Sequence, residues 1–376
     1  MEIVLSTMEL GATGGAATYL VTVSEQLQRL GHEVTVYAHE VGPLAEEAGG
    51  RGLRVVSNEG DLPERCDVVY AQDGATAYLL ADRYPGVPVA VCMHAGGASY
   101  ARWDPPQFPG VAGAVVVLHE VMQRRAQAFA ADTEVVRLRQ PVDVARFAPR
   151  APVSDPPRRA LLLGNYMHGD RGLLVRQACA EASLEPVQVG LYGPDATLHP
   201  EVAINDSDLV IGQGRAIVEG MACGRPSFVY DQGGGDGWVT ASSYDRLEAR
   251  NFAGASSGEQ MVATDLAARL READRAMGPV NRDLARLHHA AHTHVEQLVD
   301  LFRRLAPSAP PPDAPLRELA RMVRLQWQTE TRVAARDHEL RLLSARLHRA
   351  EALSATRRYR FAAALARPLD RLRRGR

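Results

Sequence analysis

The chain contains no lysine; all 43 of its basic residues are arginine. They stand against 45 acidic residues and leave a formal net charge of -2, so no nucleic-acid partner is expected from overall charge. Cysteine is scarce. Cys66, Cys92, Cys179 and Cys223 are scattered without a C-x-x-C pair, which excludes a disulfide framework and a thiolate metal knuckle. They read as buried, reduced thiols of a cytoplasmic protein. No run of about 18 apolar residues occurs, so no membrane-spanning helix is expected. The opening Glu2-Ile-Val-Leu-Ser6 reads as a strand, not as a basic-then-apolar leader.

At 376 residues the chain is long enough for two α/β domains and an appendage. Short apolar runs at Ile3–Leu5, Glu33–Tyr37, Leu53–Val56, Val68–Tyr70, Val89–Cys92 and Val115–Leu118 alternate with helical patterns, most clearly over Ala17–Leu30. That rhythm predicts a parallel, doubly wound sheet. A second series begins at Ala160–Leu163 and continues at Val187–Leu191, Asp208–Ile211 and Ser227–Tyr230, after a proline-rich break over Phe147–Pro157. The expected layout is a Rossmann-like domain over 1–148 and a second over 158–305. A proline-rich linker follows over 306–315, then a helical, basic tail over 316–376. Ligands of such sheets lie at the carboxyl ends of the strands, so the cleft between the domains is the expected site.

The most informative stretch runs from Asp208 to Tyr230. It predicts a buried strand at Leu209–Ile211, a turn at Gly212–Gly214, a helix over Arg215–Ala222, then Gly224-Arg-Pro226 and another strand. A glycine turn opening a helix leaves backbone N–H groups pointing one way at the positive end of the dipole, which suits a phosphate. One turn on, Glu219 is placed to accept hydrogen bonds from ribose hydroxyls.

This segment resembles the donor-site motif of GT-B glycosyltransferases, above all the retaining family 4, in which the run ends in Glu, a small-residue helix end and Gly-x-Pro. The first domain resembles the same family through Gly14-Gly15, the helix after them, and Arg29-Leu-Gly31-His-Glu-Val-Thr-Val36. The resemblance implies that the loop with Gly14 and Gly15 touches the donor diphosphate and the acceptor, that Gly31 and His32 are structural, and that His94, after the strand at Val89–Cys92, lies near the reacting carbon. It also implies a donor site built from Gly164, Arg171, Gly214, Arg215, Ala216 and Glu219. The loop Ser99–Pro109, with Arg102, Trp103 and Asp104, reads as an ordinary surface loop beside an acceptor pocket.

Two positions depart from the family pattern. Asn165 stands where the family has an arginine, leaving Arg171 at the lysine position as the cation for the leaving diphosphate, with Arg215 as a supplement. Ile211 stands eight residues before Glu219, where the family has a first glutamate that holds the transferred sugar, and Gln213 is the nearby polar substitute. The loop Asp231–Trp238 reads as flexible, and the span from Gly190 to Asp208 as a trimmed base pocket.

His288, His289, His292 and His294 tempt a metal reading, but no Cys or carboxylate completes a set, and they read instead as a solvated face of a helix over Asn281–Leu305. The resemblance implies no metal cofactor. In the tail, Leu319, Val333, Leu340 and Leu347 keep a seven-residue spacing, with Leu316 and Val323 on the partner position, which suggests self-association through 316–350. From Arg346 on there are ten arginines against two acids, with Phe361, Leu365 and Leu369 among them, a pattern suited to an anionic membrane surface.

The expectation is therefore a retaining transferase. It would move a sugar from a nucleotide-diphosphate sugar to a glycan or lipid-linked acceptor in bacterial cell-surface polysaccharide or glycolipid synthesis. The alternatives are a non-catalytic GT-B scaffold and a nucleotide-sugar 2-epimerase; the last demands carboxylates that are not evident near the cleft.

Overall fold

The computed structural model describes residues 1–11, 14–94, 103–129, 133–165, 167, 169–190, 197–231 and 233–355. The chain packs as two compact units, Met1–Trp327 and Gln328–Arg376. The first holds two sheets. Strands β1 (Glu2–Leu10), β2 (Glu33–Val41), β3 (Arg54–Val56), β4 (Val68–Ala71), β5 (Val89–Met93), β6 (Ala114–Val117) and β7 (Glu134–Arg137) form a parallel sheet in the order β3-β2-β1-β4-β5-β6-β7. Strands β8 (Arg159–Leu163), β9 (Glu185–Val189), β10 (Leu209–Gly212), β11 (Ser227–Asp231) and β12 (Gly234–Trp238) form the other, in the order β12-β11-β10-β8-β9. Only β12 is antiparallel among the described pairs.

The connecting helices are α1 (Gly15–Arg29), α2 (Pro43–Gly50), α3 (Gly74–Arg83), α4 (Glu120–Phe129), α5 (Gly169–Glu181), α6 (Pro200–Asn205), α7 (Arg215–Ala222), α8 (Tyr244–Glu248), α9 (Ala263–Leu270), α10 (Met277–His288), α11 (Ala291–Arg304) and α12 (Leu316–Ala355). Helix α1 stops where Gly31, at φ +82, lets the chain reverse, with the His32 N–H donating to the Leu27 carbonyl. Helix α3 starts at Asp73, whose carboxylate caps the Thr76 N–H and also accepts the Met8 N–H from β1.

Each sheet is buried on both faces, as parallel strands require. Ile3 and Leu5 enter the layer with α1 and α2, whereas Val4 faces α3. In the second sheet Val210 packs toward α7 and Ile211 toward α5 and α9. At about 1.5–3 kcal/mol for each fully buried aliphatic side chain, these layers carry most of the stabilisation. All four cysteines are free and buried, and burial pushes each thiol up to about 12.

Helix α11 crosses back to complete the first half, with Val295, Leu298, Val299, Leu301 and Phe302 in the same core as α1. The proline-rich stretch follows it there. The Ala309 N–H donates to the Gly110 carbonyl at 2.9 Å, and Ser308 Oγ lies within 3.0 Å of that oxygen. Leu316 and Ala320 then sink into the α3 layer, and Trp327 packs on Met8 and Ala75. Leu319 and Val323, read in sequence as part of a seam for another chain, rest on this core, while Val333, Leu340 and Leu347 are exposed.

Three local expectations are corrected. The loop Asp231–Trp238 is in large part the edge strand β12, its pattern concealed by glycines that allow close contacts: a Cβ on Gly235 would lie 2.7 Å from Met261 Cε. The helix expected over Asn281–Leu305 breaks at His289–Ala290 into α10 and α11. The histidine face is only partly solvated, since His289 and His294 are buried. Strand β7, with a charged residue at each end, was not apparent in the apolar pattern.

Candidate functional site

In the second half, three glycines bring the carboxyl ends of β8, β9 and β10 together. A Cβ on Gly212 would stand 2.5 Å from the Leu163 carbonyl oxygen, and one on Gly190 would stand 2.5 Å from the Gly164 oxygen. Gly214 (φ +57) then turns the chain into α7. Its N–H is not free for an anion, because it donates to the Phe252 carbonyl at 3.0 Å; the Ala216 N–H donates to Gln213 at 3.2 Å. Glu219 is buried on α7 and accepts from Arg215 Nε at 2.7 Å. Burial raises its carboxyl pKa and the Arg215 charge opposes the rise.

Arg215 reaches further. Its Nη1 donates to the Pro141 carbonyl at 3.0 Å and its Nη2 to Thr22 Oγ1 on α1 at 2.8 Å. Arg171 pairs with Asp231 at 3.4 Å, and Asp231 is a buried carboxylate at the end of β11 next to Gly164. Asp231 was assigned no role from sequence, because a lone Asp after an apolar run carries no motif. Ile211 lies fully buried inside β10, paired with Phe228 and Leu162.

In the first half, Gly14 and Gly15 open α1, and a Cβ at either would meet no described atom within 4 Å. His94 follows β5, half-buried, with Nε2 2.6 Å from Gln72 Oε1. Its ring meets Tyr19 edge-on at 5.0 Å and Trp103 at 5.6 Å. Burial pushes its pKa down to about 3, so the imidazole is neutral. Gln72 is fully buried, and among the described residues its Nε2 has no hydrogen-bond partner. No motif announced Gln72; only its place after β4 does.

Helix α1 ties the two halves of the site. Tyr19 touches His94, and one turn later Thr22 accepts from Arg215. The sequence-derived residues of the two domains are thus brought to one helix. Gly164 and Arg171 lie apart from that contact, around Asp231.

The histidine cluster has a structural role. His289 Nδ1 meets the Gln140 carbonyl and Nε2 the Tyr244 hydroxyl, at 2.8 and 2.9 Å. His294 bridges the Arg139 carbonyl and the Tyr19 hydroxyl, both at 2.9 Å. Both rings are held neutral by burial, at about 3 and about 4. Among the described residues, no group of three or more His, Cys, Asp or Glu is placed to hold a metal ion. Arg102, residues 191–196 of the span expected to shape the base pocket, and the basic tail with Phe361, Leu365 and Leu369 lie outside the described residues.

No protein-family model matches the chain, and no curated protein matches it significantly. Solved structures do. A glycosyltransferase from Rickettsia africae aligns over 80% of this chain and 98% of its own, at 13% identity and a TM-score of 0.53. HepE of Anabaena, solved with UDP-glucose, aligns over 81% and 100%, at 13% identity and a TM-score of 0.54. AviGT4, a glycosyltransferase of avilamycin A biosynthesis, aligns over 81% and 97%, at 16% identity and a TM-score of 0.52. Two doubly wound sheets, a closing helix that returns to the first, and these neighbours give the chain the fold of the GT-B glycosyltransferases.

Proposed function

We propose that the protein is a glycosyltransferase that takes a sugar from a nucleotide-diphosphate donor and passes it, with retention, to a glycan or lipid-linked acceptor of the bacterial cell surface. The observation that carries this is the meeting on α1 of His94, through Tyr19, with the Arg215–Glu219 pair, through Thr22. Glu219 offers a carboxylate to ribose hydroxyls, and Arg171 and Arg215 offer charge to the leaving diphosphate. His94, neutral, offers a hydrogen bond near the reacting carbon. The chemistry of the site calls for no metal or other cofactor. HepE was solved with UDP-glucose, which makes UDP conjugates the first donors to try.

The test is thermal stability against UDP, GDP, dTDP and their common sugar conjugates. A ligand at about a hundred times its dissociation constant adds roughly 2.7 kcal/mol. A shift confined to one base supports the reading, and Glu219→Ala should then abolish most of it. A flat response to every nucleotide would sink it and favour a non-catalytic GT-B scaffold. That second reading has one observation behind it: Ile211, at the family's sugar-binding glutamate position, is core.

No helix among the described residues is long and apolar enough to cross a membrane. We place the protein in the cytoplasm, with the arginine-rich tail against the anionic inner membrane surface. There Val333, Leu340 and Leu347 would serve self-association.

A further inference from the structure

Sequence reading leaves the donor diphosphate short of one cation, at Asn165. The structure holds two arginines elsewhere that no motif singled out. Arg137 ends β7, and Arg139 lies two residues on, so both project from the same side of an extended chain. They converge on one buried carboxylate of the other half: Arg137 Nη2 and Arg139 Nε both pair with Glu248 at the end of α8, the latter at 3.3 Å. Glu120 takes the remaining Arg137 contact, at 3.4 Å. Arg137 Nε is buried and makes no hydrogen bond among the described residues, so Glu248 and Glu120 do not use every donor of that guanidinium. The field here is positive: beside burial, the charges that hold the neighbouring His119 down to about 4 are Arg137, Arg124 and Arg250.

The turn after Glu248 links the residue that holds this pair to the turn that opens α7. The chain leaves α8 through Asn251 and Phe252, both at φ +52, a conformation that is costly for a bulky residue such as Phe. This strained turn presents the Phe252 carbonyl to the Gly214 N–H at 3.0 Å, and sets Asn251 Nδ2 3.7 Å from where a Cβ on Gly214 would be. Glu248 is bonded into the same turn, its carbonyl accepting the Asn251 N–H at 2.8 Å. The backbone of the residue that gathers the arginines is therefore continuous with the turn that holds Gly214.

We propose that Arg137 and Arg139, supplied by the first sheet and held by Glu248, bind the diphosphate of the nucleotide donor and replace the cation missing at Asn165. The proposal rests on the nucleotide-sugar reading above. Glu248 keeps the two guanidiniums together beside the Gly214 turn, and the diphosphate competes with it for them. The site then favours a diphosphate, whose two phosphate groups can each meet one guanidinium, over a monophosphate.

The experiment is calorimetric titration of the full chain with the nucleoside, nucleoside monophosphate and nucleoside diphosphate of the preferred base, and with a prenyl monophosphate in detergent. Wild type is compared with Arg137→Gln/Arg139→Gln and with Glu248→Gln. The double variant should lose about tenfold or more in diphosphate affinity and leave the nucleoside unchanged. Glu248→Gln, nearly isosteric, should move the other way and bind diphosphate more tightly. A purely structural role for the cluster would weaken binding in both variants, and that result overturns the proposal. So does diphosphate affinity that survives the double variant, while wild type still binds nucleotide. Loss confined to the prenyl phosphate overturns the donor assignment in favour of the acceptor's phosphate. Wild type that binds no nucleotide overturns the functional reading and this proposal together.

Discussion

The chain makes the same local motif twice, a strand running through a glycine turn into a helix, and the two copies use glycine for different reasons. At Gly212 the backbone of β8 leaves no room for a side chain, and at Gly214 the N–H is already held by Phe252. At Gly14 and Gly15 no described atom crowds the missing Cβ, and Gly14 has an ordinary extended backbone. Packing explains the second turn and leaves the first unexplained, which is where a ligand's close approach would require glycine. A glycine turn is thus weak evidence of a phosphate site until its N–H groups and neighbours are known.

The largest test of this contrast is Gly212→Ala against Gly14→Ala. Gly212→Ala drives a methyl group into the Leu163 carbonyl and should cost about 1–3 kcal/mol in chemical denaturation. Gly14→Ala should stay within about 0.5 kcal/mol of wild type, yet weaken nucleotide binding. Equal destabilisation by both would erase the distinction.

Acid gives a second comparison, because each half of the molecule is tied to the interdomain connection by a neutral histidine: His294 to α1 and His289 to α8. Both folded pKa values are lowered, by burial, from 6.5 to about 4 and about 3. Below 6.5 the unfolded chain therefore binds more protons than the native one. Stability is full above that pH and falls as pH drops toward the folded values, by about 1.4 kcal/mol per pH unit for each histidine. His289→Gln should flatten the dependence of the denaturation midpoint between pH 6 and pH 4; an unchanged slope would place the acid lability elsewhere.

The smallest expected effect on stability comes from the C-terminal region. Truncation after Ala355 should leave the melting temperature unchanged and reduce partitioning onto anionic vesicles. Truncation after Leu305 should destabilise the protein outright, since it removes Leu316, Ala320 and Trp327 from buried positions. Vesicle binding that survives the shorter cut would remove the tail from the membrane proposal.

The fold was legible because it rests on alternation: six apolar runs became six strands of the first sheet, and the rhythm of strand and helix fixed the doubly wound topology. Strand β7 was missed because its two apolar residues lie between charges, and β12 because glycine carries no periodicity. Of the candidate site, motif and place pointed to His94, Arg215 and Glu219. Gln72, Asp231, Thr22 and Glu248 were not, since their roles come from neighbours distant in sequence, a separation that local patterns do not record. His289 and His294 were misjudged for the same reason: the partners that dry them, Tyr244 and Tyr19, lie on other elements.

The return of α11 and of residues 306–327 to the first half has a consequence for biogenesis. On the ribosome β1 to β7 emerge first, but the layer that covers α1 and part of α3 is translated only after the whole second sheet. The first half therefore waits with an apolar flank uncovered, while the second half has its own complete core as soon as α10 appears. The half translated first is the last to have its core completed, and a stall between β12 and α11 would release a nascent protein whose N-terminal portion is the sticky one.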